Sequence, residues 1–527
     1  MSLVSSLNIA QQALSVNQAA ITVISNNIAN VDNENYSKLR VELADVINYD
    51  YLADPTTQAN SLNGVQISQI KRYSNAYLQS YYWSENSTAS YYEKYAQIAS
   101  NIEDIVNELN DTGLSNALSK FYDAVNALNE TPTDKSAREN FVSCAENVCS
   151  VLNSYYNSLT NIKENLVGDY QTADSVQNSE IGNNIKTVND LLDRLANVNE
   201  NLLKTGTLGI SSNSLLDERD ALISELSSYI NIDVDLQTSG AASVSLGSYR
   251  LVNGSEVVGY LDAATGTASK PAQINIVNSE GTTLYADINN SITGGKIGSI
   301  LDICGSSTID FTISGVIDQL NTIAQSFANI MNDIQTGDPE GDGTTALCLN
   351  AAGTQLILAT ENIFLNSETG LRTNITAGNI SMNSAIIADS NLVAAARVTI
   401  SGTTPLSYYQ DDIGNNANST LILASRDTTY STTTYTPSVV NLGGQTLEGY
   451  LATFASTVGY DVDSINNSLS TQATVLNEIE SQLQSETGVN LDEELSDLIK
   501  FQRAYEAAAR VFSTCNELLE ELINLGR

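Results

Sequence analysis

The chain contains no histidine. Ser-His-Asp and Cys-His activation of a nucleophile are therefore out of reach, and so is the commonest metal ligand. Four other groups have residue types and spacing that could do chemistry. Cys144 and Cys149 fall within one predicted helix, whereas a zinc pair is presented by a turn, so packing accounts for them better. Asp338-Pro-Glu-Gly-Asp-Gly343 resembles the first half of a calcium loop, but Leu349 stands where the bidentate Glu belongs, and a solvated loop is the better reading. Asp233 and Asp235 alternate on a strand-like segment and share one side. Nothing nearby would split their pKa values for acid–base work, so an exposed strand face is expected. Asp217, Glu218, Arg219 and Asp220 are dense enough to suspect a site, and a helix-surface ion-pair cluster explains them equally well. No enzyme signature emerges, and neither a cofactor nor a metal is expected.

Composition narrows the partners. Of 527 residues 42% are apolar, enough for real cores, and two to four domains are expected. Only 16% are charged, and 61 carboxylates against 23 Lys and Arg give a net charge of −38. That balance argues against nucleic acid, where binding depends on cations displacing counterions, and against an anionic membrane surface. No apolar run is long enough to span a bilayer, and no basic segment leads into an apolar one at the N-terminus, so any export must use a route without a cleaved signal. The five cysteines (Cys144, Cys149, Cys304, Cys348, Cys515) are scattered and read as free thiols, with Cys515 a small packing residue on a helix.

The elements with the clearest pattern are at the two ends. Leu3, Leu7, Ala10, Leu14, Asn17, Ile21, Ile24, Ile28 and Val31 are spaced alternately by four and three, a heptad seam with one polar break. The same alternation runs through Leu491, Leu495, Leu498, Gln502, Tyr505, Ala509, Phe512, Asn516, Leu519 and Ile523. Asn490 is the expected N-cap, Glu493 completes a capping box, and Gly488 ends the preceding helix. A lone helix of this kind is marginal in water, so each seam needs a partner. Alanines lie on several faces of both helices and admit close neighbours on more than one side. The candidate assembly interface is therefore Leu3, Leu7, Leu14, Ile21, Ile24 and Ile28 with Leu491, Leu495, Leu498, Tyr505, Phe512, Leu519 and Ile523. A single pair closing a globular fold is the plainer alternative.

Between the ends the pattern alternates helical and β. Short strands are expected at 41–48 and 64–70, then helices at 74–109, 134–167, 175–204 and 213–229, with Gly113 and Pro132 as punctuation. Residues 243–252 alternate as a strand and meet Asn253-Gly254, a strong hairpin signal. Helix returns at 310–334, 446–458 and 463–484. The expected fold is α+β and multidomain. Residues 1–36 and 488–527 form a coiled-coil-like inner domain. Residues 37–336 and 441–487 form an elongated helical-bundle body with a β subregion at about 231–298. Residues 337–440 form a mostly β outer insertion.

Several of these stretches resemble bacterial flagellar axial proteins. Asn8-Ile-Ala, Ala13-Leu14, Ser25-Asn-Asn-Ile-Ala-Asn30 and Tyr36-Ser37 are similar to their shared N-terminus, and Phe501-Gln-Arg-Ala-Tyr-Glu-Ala-Ala-Ala-Arg510 to their shared C-terminus. Residues 213–234 and 485–494 resemble the FlgK family of hook–filament junction proteins, with weaker matches at 249–254, 294–302 and 415–424. One departure is Asn33-Glu34-Asn35, where the family usually has a Thr-Pro-Gly turn. The resemblance implies an extracellular structural protein of the flagellum, assembled helically through its terminal helices around a central channel. It implies export unfolded through the flagellar type III apparatus, with a chaperone on the C-terminal helix. Hook protein below and the second junction protein above would be its neighbours. Hook protein or flagellin, and an adhesin carried by the β insertion, are the alternative readings.

Overall fold

A computed structural model describes residues 3–33, 35–45, 64–106, 113–207, 212–305, 311–336, 344–399, 409–431 and 440–525. The calcium-like loop, Asp338 to Gly343, lies outside them, as do Glu34 and the end of the first expected strand.

The chain begins with helix α1 (Leu3–Ala29) and a hairpin of β1 (Leu39–Asp45) and β2 (Val65–Arg72), paired antiparallel from Leu39↔Arg72. Seven helices follow: α2 (Ala76–Val106), α3 (Leu114–Glu130), α4 (Lys135–Val167), the short α5 (Ala173–Asn178), α6 (Glu180–Thr207), α7 (Asn213–Tyr229) and, after a β region, α8 (Gly295–Cys304). The β region holds β3 (Asp233–Leu236), β4 (Ala242–Leu246), β5 (Tyr249–Asn253) and β6 (Glu256–Val257) in one sheet, in that order. A second sheet orders β7 (Tyr260–Thr267), β8 (Lys270–Val277) and β9 (Thr283–Tyr285). After α9 (Ile313–Thr336) come β10 (Thr344–Leu349), β11 (Leu356–Leu358), β12 (Phe364–Asn366), β13 (Ile380–Met382), α10 (Ser384–Ala388), β14 (Ala396–Thr399) and α11 (Ala417–Asp427). The chain closes with two long helices, α12 (Leu447–Thr487) and α13 (Leu491–Leu525).

Local chemistry sets several boundaries. Asp134 caps α4, its carboxylate accepting from Ser136 N and Ala137 N, and Thr446 caps α12 by accepting from Gly449 N at 3.0 Å. Gly168 ends α4 at φ 76, and a Cβ there would come within 2.6 Å of the Ser175 carbonyl carbon, so no other residue fits.

Three expectations change. Residues 114–130 form a full helix, α3, between the expected punctuation marks; its buried stripe of Leu114, Ala117, Leu118, Phe121, Tyr122, Val125 and Leu128 carries the 3.6 period. The alternating run 243–252 is two strands, because Gly247 takes a positive φ of 54 and turns β4 into β5. The next turn then falls on Gly254 and Ser255, with Asn253 still paired to Glu256. Finally, α12 is one helix of 41 residues rather than two.

One continuous core runs through the body. Phe141 of α4, Phe121 of α3, Phe327 of α9 and Phe364 of β12 form, in that order, a chain of rings with centroids 5.3, 5.2 and 4.9 Å apart. The last ring belongs to the expected outer insertion. Among its described residues, β12, β13, α10 and α11 bury Phe364, Ile380, Met382, Ile386 and Ile422 in the same core as the helices, while the β11–β10–β14 sheet buries Leu347, Leu349, Leu356, Ala396 and Val398 in a small cluster of its own. Arg138 of α4 is buried and donates to Pro132 O, Val393 O, Ser390 O and Asn391 O, at 2.7 to 3.3 Å. Burial pulls its pKa down to about 10. The four carbonyls compensate that cation, and the three from Ser390, Asn391 and Val393 fasten the insertion to α4.

Candidate assembly interface

The two ends of the chain pack against each other. Asn27, in the last turn of α1, donates to Glu494 Oε2 in the first turn of α13 at 3.0 Å, so the helices run antiparallel. Asn27 is fully buried and saturated: it also donates to Leu39 O at 2.9 Å, and its Oδ1 accepts from Leu39 N at 3.0 Å and Tyr36 OH at 2.8 Å. One side chain therefore sets the register of α1 against both α13 and β1, the use a buried Asn has in coiled coils. Burial pushes the Tyr36 phenol up to about 12, so the tyrosine stays a donor here. The turn that delivers Tyr36 is built by asparagine: Asn33 Oδ1 accepts from Asn35 N at 3.2 Å, and Tyr36 N donates to Asn33 O at 3.0 Å.

The expected seam residues are only partly on the seam. On α1, Ile24 is buried, and Leu3, Leu7, Leu14, Ile21 and Ile28 are half-buried. A second stripe, Val16, Ala20, Val23 and Asn27, is buried more deeply. The helix is packed on two sides, by α13 and by the β1–β2 hairpin, and the heptad reading credits it with one. On α13 the covered stripe is Glu494, Leu498, Phe501, Tyr505, Ala508, Phe512, Cys515 and Leu519, again spaced by four and three. Leu498, Tyr505, Phe512 and Leu519 belong to it. Leu491, Leu495 and Ile523 do not: they are 43%, 41% and 63% exposed. The expected alternation has the right period but a shifted phase: it shares Leu498, Tyr505, Phe512 and Leu519 with the covered stripe and puts Leu495, Gln502, Asn516 and Ile523 in solvent beside it, while Leu491 precedes the first covered residue. Asn490 caps α13 as expected, accepting from Asp492 N and Glu493 N at 3.0 and 3.3 Å, while the Glu493 carboxylate pairs with Arg40 of β1.

This terminal unit meets the body across a buried charge clasp. Arg72, at the end of β2, donates through Nε to Asp217 and through Nη2 to Asp220 of α7, both at 2.8 Å. Asp220 also accepts from Gln79 of α2 at 2.9 Å and from Arg219 Nε at 2.8 Å, and Arg219 reaches Gly240 O. The acidic cluster is thus neither a site nor a helix-surface cluster: Arg219 and Asp220 are buried, and Glu218 alone stays in solvent. The missing signal was Arg72, distant in sequence. Asp217 sits above the usual carboxylate range because burial outweighs Arg72. Beside the clasp lies a cavity of ≈ 190 Å³ lined by Asn33, Tyr36, Arg72, Gln79, Trp83 and Gln484, among others.

The other candidates stay plain. Asp233 and Asp235 share the exposed face of β3. Cys149 is buried and Cys144 half-buried on α4, and burial raises the Cys149 thiol to about 12, far from a reactive thiolate. Among the described residues no group of three His, Cys, Asp or Glu is placed to hold a metal ion, and no helix is long and apolar enough to cross a membrane.

Residues 99–347 match the family model of the flagellar hook-associated protein FlgK helical domain, and residues 481–525 match that of the flagellar basal body rod FlgEFG protein C-terminal region. The chain is 27% identical to flagellar hook-associated protein 1 of Bacillus subtilis, across 98% of this chain and 97% of that one. It is 25% identical to the Salmonella typhimurium protein of the same name, across 98% and 99%. The flagellar hook junction protein FlgK from Burkholderia pseudomallei shares the fold, with a TM-score of 0.55 at 15% identity over 77% of this chain and 100% of that one.

Proposed function

We propose that the chain, which matches the FlgK helical-domain model over residues 99–347 and flagellar hook-associated protein 1 along nearly its full length, is a structural component of the bacterial flagellum that builds the hook–filament junction by helical self-assembly through α1 and α13. The observation that carries this reading is the unfinished surface of α13. One stripe is covered by α1, while Leu491, Leu495, Ile499, Val511, Leu518, Leu522 and Ile523 remain exposed on a single helix. Scattered apolar residues need no explanation, but seven on one 35-residue helix do. Neighbouring copies that cover them complete the burial, and a contact whose rotation does not close propagates as a helix.

On this reading residues 1–36 and 488–527 are the inner assembly domain. The body is 37–336 with 441–487, and 337–440 faces outward. Hook protein lies on one side of the junction and the second junction protein on the other. Export runs through the flagellar type III apparatus to the cell exterior, with a chaperone holding α13 before assembly. The work is structural rather than catalytic. Hook-associated protein 1 names recur along nearly the full chain, which favours this reading over hook protein, flagellin or an adhesin.

Truncation tests it. A chain ending at residue 490 should keep its body fold by circular dichroism yet fail to pellet under conditions where the full chain assembles. In cells it should leave hooks without filaments. Assembly of the truncated chain at the parent's critical concentration would sink the role given to α13.

A further inference from the structure

The far end of α13 outruns its partner. Counting from the Asn27–Glu494 contact, Leu3 stands opposite about Leu518, so the last roughly seven residues of the 35-residue helix project beyond the 27-residue α1. This tip is amphipathic and acidic. Leu518, Leu522 and Ile523 are 44%, 56% and 63% exposed, and Glu517, Glu520 and Glu521 are exposed among them.

The opposite end of the terminal unit carries a complementary surface. Tyr77 and Tyr81, one turn apart on α2, stack with centroids 6.5 Å apart and are 77% and 42% exposed. Tyr73, four residues upstream of Tyr77 and also exposed, has Lys38 Nζ 5.4 Å and the Arg40 guanidinium 5.8 Å from its ring centroid. Lys71 is exposed beside it in sequence. Arg40 and Lys71 are paired with Glu493 and Glu42, whereas Lys38 has no ion-pair partner among the described residues. In a chain with 61 carboxylates and 23 Lys and Arg, the exposed Tyr73 ring flanked by cations, with the Tyr77–Tyr81 stack one to two helical turns on in sequence, is the place suited to an acidic apolar helix end.

A chain's own tip cannot reach its own patch. The patch adjoins the start of α13, where Arg40 meets Glu493 and Asn75 meets Glu486. The tip lies at the other end of a helix roughly 50 Å long at about 1.5 Å per residue. We propose that the α13 tip of one copy docks on the Tyr73–Tyr77–Tyr81 patch of a second copy, with Leu518 and Leu522 on the rings and Glu520 or Glu521 toward Lys38. The contact is heterologous, so each copy keeps a free tip and a free patch, and stacking continues. It rests on the self-assembly reading and adds which surfaces meet.

Mixed-chain cross-linking tests it. One size-tagged full-length chain carries Tyr77→Cys, the other Leu522→Cys, and the two are assembled together with an added thiol oxidant. The parent chain, with its own five cysteines, gives the background. The expected result is a disulfide between unlike chains in the pelleted fraction, absent from the parent. Its yield should fall about twofold to fivefold with Glu520→Lys plus Glu521→Lys, the upper range for one exposed ion pair. Pelleting without the mixed disulfide overturns this contact and leaves the self-assembly reading standing. Neither pelleting nor disulfide overturns both. A mixed disulfide indifferent to the charge reversal overturns the acidic recognition.

Discussion

Arg72 is the residue on which the terminal unit turns. Its guanidinium is nearly buried between Asp217 and Asp220, and removing one partner of a buried pair leaves the other charge uncompensated. Arg72→Met should lower stability by roughly 3 kcal/mol in urea unfolding, and adding Asp217→Asn should recover part of that loss, since the two residues couple directly. Additive losses would show that the clasp does not act as a unit. Glu494, like Asp217, is shifted upward by burial, in its case despite the Asn27 hydrogen bond. A carboxylate raised on folding contributes stability that is full below its unfolded pKa and is lost as pH rises through the folded one. Hydrogen exchange in α1 should therefore slow as pH is lowered from neutrality toward the carboxylate range, after correction for intrinsic rates. Glu494→Gln should flatten that dependence while keeping an acceptor for Asn27. An unchanged pH profile in the Gln variant would assign the effect to other groups.

At the scale of elements, the half-buried seam and the exposed flank of α13 should separate by mutation. Phe512→Ala removes packing against α1 and should cost on the order of 1 kcal/mol in the protection of α1, below the fully buried value because the ring is half-exposed. Ile523→Ala should change the lone chain by less than about 0.5 kcal/mol and raise the critical concentration for assembly. Equal effects of both on the lone chain would place Ile523 on the intramolecular seam after all. This division also shows what was legible. Period is a local property, so both terminal helices, the Asn490 cap and the Gly488 stop could be read from residue order. Phase depends on what lies opposite, and the β1–β2 hairpin that packs on α1 beside α13 is invisible to a heptad count. The same limit hid the clasp, where Arg72 and Asp217 lie 145 residues apart. It also blurred the insertion, where β12 and β13 pack into the helical core while the β11–β10–β14 sheet keeps a small cluster of its own.

For the whole molecule, the opposing quantities are apolar surface and charge. Each copy brings a net charge of −38 to the assembly, so repulsion among copies grows as they stack, while the exposed residues of α13 and the tyrosine patch supply the attraction. The Debye length shrinks from roughly 30 Å at 0.01 M salt to about 8 Å at 0.15 M, which screens repulsion between distant carboxylates and leaves apolar contacts intact. The critical concentration for assembly, measured by sedimentation, should therefore fall as sodium chloride is raised across that range. Arg40→Gln and Lys38→Gln should raise it at every salt concentration by removing cations from the docking patch. If salt instead dissolves the assemblies, local pairs such as Lys38 with the acidic tip outweigh the net charge, and the patch rather than the apolar flank of α13 holds the copies together.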